Sequence, residues 1–479
     1  MVDVAGNTST TAVLEGTPEV GSFSGQLEKP GDTDWVKLSL TAGVTYRFYF
    51  SFLDTGSVTE GDAVLGLRDA NGALFLADDN SGAGTANAFI AFTPATSGTY
   101  FAELREFGND NTGDYSLFVT TGPAINTLLN DGDNIFTGNT VGTTIAGGKG
   151  ADTIDIGVSL NALGEQGNDI IEGNLLDNII SGGLGDDTLS SGGGTEVFLF
   201  GDSGNDVLRG GNGIDHLYGG PGNDLIKGGA SGDLIYGGAG ADYLDGQSGN
   251  DVFFIAGSQG LGDTFVGGNQ TDTLQVTGGA AATLTGFNAG AFSIEQWAGN
   301  GKGLFGTSAG NVFNFSGLDS KTGLPFVDGG GGKDSIIGSE FADDLRGGSG
   351  KDTLKGGDGN DVLTGGTHRD VLYGGMGNDD FDFNSIKESK TGGQRDKIMD
   401  FKRGQDDIDL RGIDAKTGVS GNNKFEFIGK DDFSETKGEL RYQDLGSKVI
   451  VQGDVNGDGK ADFEIMVKVG ALSAGDFIL

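Results

Sequence analysis

From residue 201 to residue 254 the chain repeats every nine residues without a slip, as GDSGNDVLR, GGNGIDHLY, GGPGNDLIK, GGASGDLIY, GGAGADYLD and GQSGNDVFF. Each unit carries an acid at its sixth place: Asp206, Asp215, Asp224, Asp233, Asp242 and Asp251. Two places later comes an apolar residue, Leu208, Leu217, Ile226, Ile235, Leu244 or Phe253. Glycines at the first, second and fourth places suit a tight turn with positive φ, which other residues adopt only with strain. The tail is a short alternating strand with one inward side chain. Two units in succession, turn to strand to turn to strand, close one coil of a right-handed solenoid. Stacked coils then set the sixth-place acids in a row, and a row of like charges cannot stay close without a counter-charge.

A second array keeps the same phase from 329 to 382, with acids at Asp334, Asp343, Asp352, Asp361, Asp370 and Asp379. Ahead of the first array lie GGKGADTID, GEQGNDIIE, GNLLDNIIS and GGLGDDTLS, which put Asp152, Asp169, Asn178 and Asp187 at the same place, and GGNQTDTLQ behind it keeps Asp272. The array is therefore drawn from about 147 to 275. Carboxylates and turn carbonyls, with no thiol or imidazole among them, are hard oxygen ligands that suit Ca²⁺ better than Zn²⁺ or copper. The pattern G-G-x-G-x-D-x-U-x resembles the RTX, hemolysin-type calcium-binding repeats, and the resemblance implies a parallel β-roll holding several calcium ions. A flexible glycine linker, the alternative, would not place an aliphatic residue every nine positions. Where the fourth glycine is replaced, by Ser231, Phe341 or His368, the turn is expected to be distorted and that site weakened.

Sixty-nine acidic against 30 basic residues give a net charge of -39, which argues against nucleic acid and anionic membrane as partners and for cations. So acidic a chain would be disordered but for its regular apolar positions. Cysteine is absent, which excludes disulfides and thiol metal sites. No run of eighteen apolar residues is present, so no membrane span is expected. The N-terminus has neither a basic nor an apolar signal-peptide region, so export is expected to use another signal.

The expected architecture is all-β. After a lead-in over 1–20, residues 21–122 show alternating segments such as DWVKLSL, VTYRFYFSF, AVLGLRD and GDYSLFVTT, which read as an antiparallel β-sandwich. The series GDTDW, LRDANGALFLADDNSG, FTPATSGTYFAEL and GDYSLFV resembles the bacterial pre-peptidase C-terminal domain, a jelly-roll-like accessory module thought to help secreted hydrolases bind substrate or polymer. Asp32, Asp34, Asp78 and Asp79 are read there as solvated turn acids rather than ligands of a structural cation. The β-roll is placed at 123–383, with coils free of metal over 276–328 continuing its stack; a separate inserted domain is the rival for that segment.

From 384 to 479 the order DKIMDF, DDIDLRGID, FEFIGKDDF, GELRYQ, VIVQGDVNGDGKADFEIMV and DFIL resembles the C-terminal domain of serralysin-type metalloproteases. That resemblance implies a cap on the roll and a C-terminal signal for a type I, ABC-transporter export machinery. Asp476, Phe477, Ile478 and Leu479 fit the terminal pattern, and also fit a buried last strand. Within it, DVNGDGKAD sets oxygens at Asp454, Asn456, Asp458 and Asp462 around Gly459, either a calcium loop on a hairpin or a plain acidic turn; Ile465 at the twelfth position rules out an EF-hand.

Serine catalysis finds no support. Ser308 in G-x-S-x-G and Ser203 in GDSG lack a base, since the two histidines, His216 and His368, both lie inside repeat units. The zinc signature H-E-x-x-H of the serralysins is missing. The expected function is that of a secreted, non-enzymatic protein that folds on calcium outside the cell and binds a surface, a matrix or an extracellular polysaccharide. The alternative is a secreted hydrolase or polysaccharide-modifying enzyme with an unrecognised site. A cleft with an aromatic platform near Trp297 would favour the enzyme, and unbroken solenoid coils there the binding protein.

Overall fold

Alternating apolar residues and frequent glycine turns give strands through most of the described residues of the computed structural model, among which the longest helical piece is the single turn Ala289–Phe292. The structure describes residues 10–13, 20–27, 34–44, 46–54, 63–70, 73–79, 87–106, 113–121, 125–130, 132–138, 144–157, 159, 161–278 and 280–479. Asp32, and the side chains of Asp34, Asp78 and Asp79, lie outside the described residues. Two compact units are present, Met1–Ala280 and Ala281–Leu479.

The first unit begins with two sheets. In one, Thr10–Val13 runs parallel to Asp34–Leu40, which pairs antiparallel with Gly98–Glu106, followed by Ala63–Arg68 and Leu74–Asp79. In the other, Val20–Leu27, Gly113–Thr121, Tyr46–Asp54 and Asn87–Phe92 are all antiparallel. Leu38, Leu40, Leu65, Leu67 and Leu104 of the first sheet and Tyr46 and Phe48 of the second are buried.

The remainder of this unit is a parallel β-roll with two strands per coil. Val207 pairs with Leu225 and Leu225 with Tyr243, so one coil takes eighteen residues, two repeat units. Leu208, Ile226, Leu244 and Phe265 stack along one sheet and Leu217, Ile235, Phe253 and Leu274 along the other, each fully buried. One inward residue per strand is enough for a core because neighbouring coils cover both its sides. Three extra residues separate Tyr243 from its partner Thr264, and a turn beginning at Gly257 absorbs them without disturbing the register on either side.

In the second unit the segment 282–328 forms solenoid coils too. Ala282–Thr283, Leu304–Phe305 and Val327–Asp328 lead in parallel to Asp344–Arg346, and Gly286–Asn288 and Val312–Asn314 lead to Ser335–Ile337. Aromatic side chains fill these wider coils: Trp297 is buried against Phe287 and Phe315. After the second array, Phe463–Val467 adds in parallel to Asp396–Ile398 and turns the sheet antiparallel through Val449–Asp454 and Glu439–Asp444. The last strand, Phe477–Ile478, pairs with Asp407–Asp409.

Candidate metal centre

Each turn between the two sheets of a roll carries its sixth-place acid inward, and the acids line up along both turn edges. In the first roll one row runs Asp152, Asp169, Asp187, Asp206, Asp224, Asp242, with every residue's backbone N–H donating to Oδ1 of the next at 2.7–2.8 Å. The opposite row runs Asp215, Asp233, Asp251, Asp272 in the same manner. Asn178 is buried in the coils before that row and accepts from the Asn174 N–H. In the second unit Asp334, Asp352 and Asp370 form one row, and Asp343, Asp361 and Asp379 the other.

The structure adds members that the nonapeptide pattern does not reveal. Asp263 accepts from Asp242, Asp396 from Asp370, and Asp406 from Asp379, while Asn311 opens a row by donating to Asp334. A second, outer ladder comes from the fifth place: Asn168 accepts from Asp186, Asp186 from Asn205, and Asn205 from Asn223, so that each coil is tied to its neighbour twice.

The ladder occupies Oδ1. Oδ2 of Asp152, Asp169, Asp187, Asp206, Asp215, Asp224, Asp233, Asp242, Asp251, Asp334, Asp352, Asp361, Asp370, Asp379 and Asp396 is buried and has no hydrogen-bond partner among the described residues. Leaving one carboxylate oxygen buried and unpaired costs about 1–3 kcal/mol, more when it is charged. Beside it lies a second oxygen. A methyl group built on Gly201 would sit 2.5 Å from both Asp206 Oδ2 and the Gly219 carbonyl oxygen, and one on Gly347 would sit 2.8 Å from Asp352 Oδ2 and 2.5 Å from the Gly365 carbonyl. The first-place glycine is therefore required by oxygen crowding as well as by turn geometry. Carboxylate and carbonyl oxygens converging in a space too small for a side chain fit a hard divalent cation such as Ca²⁺. Among the described residues no three acidic or imidazole side chains cluster as a metal site, so each such site would rest on at most two carboxylates supplemented by backbone oxygens.

Burial and neighbouring acids set the electrostatics. Desolvation, opposed by the amide hydrogen bond and reinforced by Asp242, Asp206 and Asp263, pushes Asp224 up to about 8. Asp187 and Asp233 are likewise pushed up to about 8, and Asp206 and Asp251 to about 7, burial being the largest cause each time. Without a cation Asp187, Asp224 and Asp233 hold their protons at neutral pH.

Positions where the fourth glycine is replaced behave differently from one another. Ser231 and His368 adopt φ of +78° and +91°, and their acids, Asp233 and Asp370, keep an unpaired Oδ2. At Phe341 the turn is rebuilt: Ser339 donates to Asp343 Oδ2 from both its N–H and its hydroxyl, and the Lys321 ammonium binds Oδ1. The DVNGDGKAD loop joins two antiparallel strands, and its oxygens are turned on its own amides: Asp454 accepts from Gly457 and Gly459, Asp462 from Val455 and Asn456, Asn456 from Asp458, and Asp458 from Lys460. His216 stacks on Phe198 and lies 3.4 Å from Glu196, while His368 is exposed on its turn.

A family model of the RTX calcium-binding nonapeptide repeat matches residues 163–195, 200–233 and 218–253. The chain carries RTX calcium-binding repeats. A second model, the serralysin C-terminal domain of the M10 peptidases, matches residues 307–479, so the second array of acids and everything after it fall within that match. No curated protein matches the chain. Among solved structures, two subunits of the Azotobacter vinelandii mannuronan C5-epimerase are similar. One is 27% identical with a TM-score of 0.23, covering 30% of this chain and 77% of its own. The other is 25% identical with a TM-score of 0.22, covering 30% and 92%. The pre-peptidase C-terminal domain of a Bacillus anthracis collagenase is 14% identical with a TM-score of 0.18, covering 25% of this chain and all of that one. Among the described residues no helix is long and apolar enough to cross a membrane.

Proposed function

We propose that this chain is a secreted calcium-binding RTX protein whose rolls fold when calcium fills the acid rows outside the cell. The rows of buried, unpaired Oδ2 atoms carry this reading, because such a row is costly until a cation joins each oxygen to its neighbours. The residues that would hold the ions are Asp152, Asp169, Asp187, Asp206, Asp224 and Asp242 on one edge of the first roll and Asp215, Asp233, Asp251 and Asp272 on the other. Asp334, Asp352, Asp361, Asp370 and Asp379 would do so in the second unit. Bound calcium supplies the positive charge that lets neighbouring carboxylates ionise together. The chain's own part is to fix Oδ1 by the amide ladder and to clear space with glycine. Binding free energy then becomes folding free energy, and low cytosolic calcium leaves the chain loose enough for export by a type I machinery. The serralysin C-terminal match supports that route.

The role outside the cell is non-enzymatic, in binding a surface, a matrix or an extracellular polysaccharide. Trp297 supports this over the enzyme reading, since its ring is buried in solenoid coils and offers no platform for a substrate. Circular dichroism tests the folding step: β signal should be partial in chelator at neutral pH and rise clearly with millimolar calcium. Equal β content in both would refute it. A glycan array run in calcium tests the binding role, which hydrolysis of a polymer together with silence on the array would overturn.

A further inference from the structure

We propose that Asp343 takes no calcium and that Lys321 supplies a tethered ammonium in its place, closing one end of an acid row in the second unit. This rests on the calcium reading of the other acids, and it begins from register. Val327 pairs with Leu345, eighteen residues on, which sets residue 325 beside Asp343 in the place from which every later coil donates an amide to the next carboxylate. Residue 325 is proline and has no N–H to give. The Lys321 ammonium takes over that duty, binding Asp343 Oδ1 and donating to the Ala342 carbonyl at 2.7 Å. Both partners are buried, the lysine side chain at 7% exposure and the aspartate at 2%.

The other oxygen is satisfied as well. Asp343 Oδ2 accepts from the Ser339 N–H at 2.8 Å and from its hydroxyl at 2.9 Å, where other units of the array carry glycine. Asp343 is accordingly absent from the set of acids with an unpaired Oδ2, although Asp361 and Asp379, the next two of its row, belong to it. Serine for glycine, proline for an amide donor and lysine for a metal are three separate departures from the repeat, and they meet at one carboxylate. Together they give the row a first rung that forms without metal.

Native mass spectrometry of the full chain in calcium acetate counts the ions. Asp343→Asn is expected to hold as many as the unsubstituted chain, while Asp352→Asn, which alters an acid with a free oxygen, holds at least one fewer. An ion lost from Asp343→Asn would overturn the proposal, whereas no loss from Asp352→Asn would count against the calcium reading of the rows instead. The lysine is tested apart from metal. Lys321→Met should lower the melting temperature of the full chain by a similar amount in chelator and in calcium, with Lys321→Arg recovering most of it. A Lys321→Met chain that melts as the original does in both conditions would refute the ammonium's role.

Discussion

The backbone amide of Asp206 donates to Oδ1 of Asp224 at 2.8 Å, while Oδ2 of the same carboxylate is buried with no partner among the described residues. The two oxygens therefore have separate tasks. One ties adjacent coils together, and the other is held rigid and bare in a pocket of oxygen atoms. A ligand pre-positioned in this way loses little freedom on binding a metal, so the backbone ladder and the metal row are two uses of a single residue.

Asp224→Asn separates these tasks, because the amide keeps an oxygen for the Asp206 N–H but gives up the charge. In saturating calcium the variant should be less stable; losing an ion held at about a hundred times its Kd removes about 2.7 kcal/mol. In chelator the sign should reverse or vanish, since burial and the neighbouring acids already push this carboxyl up to about 8. Urea melts under the two conditions provide the comparison.

The metal-free rolls should be more stable in acid than at neutral pH. Asp187, Asp224 and Asp233 rise to about 8 in the folded chain, against roughly 3.9 for an unfolded aspartate. The folded state thus binds protons that the unfolded state has released, and stability falls as pH climbs from about 4 to 8. Thermal melts in chelator should therefore give a higher midpoint at pH 5 than at pH 8. With calcium present the trend should invert, because the ion displaces those protons and binds more tightly as they leave.

Gly201→Ala should destabilise the calcium-loaded protein by about 1–3 kcal/mol, the usual cost of forcing an atom into filled space. The new methyl would stand 2.5 Å from Asp206 Oδ2 and from the Gly219 carbonyl. Gly393→Ala, where a methyl meets nothing within 4 Å, serves as the control and should melt unchanged.

The repeat made the coil length, the inward Leu208 and Ile226 rows and the positions of most acids legible, since all of these follow from a period of nine read twice per turn. What it concealed depends on register between distant segments. Asp263 falls out of phase because three residues precede it, yet the turn beginning at Gly257 bulges and returns it to the row. Asp396 and Asp406 lie beyond the glycine pairs, and only their strands' pairing aligns them with Asp370 and Asp379. The fifth-place ladder through Asn205 and Asn223 was present in the letters, but the role of those side chains depends on the coil above. The three replaced glycines look alike in the letters, yet Ser231 and His368 take positive φ and leave Oδ2 of Asp233 and Asp370 unpaired, whereas at Phe341 Ser339 and Lys321 bind both oxygens of Asp343.

At the C-terminus, Asp476 closes a capping box with Ser473 and pairs with Arg403, and Phe477 packs against Phe427 with ring centroids 5.1 Å apart. Phe477→Ala should cost the cap about 3 kcal/mol, at the lower end for a buried aromatic ring on an edge strand, read as a lower denaturation midpoint in calcium. Gly475→Ala, which meets no neighbour, should leave that midpoint in place.

The most direct measurement is a diffraction experiment on crystals grown in calcium, with anomalous data collected to locate the ions. The account predicts peaks along both turn edges of the first roll, each about 2.3–2.6 Å from an aspartate Oδ2 and shared with a glycine carbonyl such as that of Gly219. Aspartate rows that bind only water, or calcium gathered elsewhere while every Oδ2 stays bare, would contradict it.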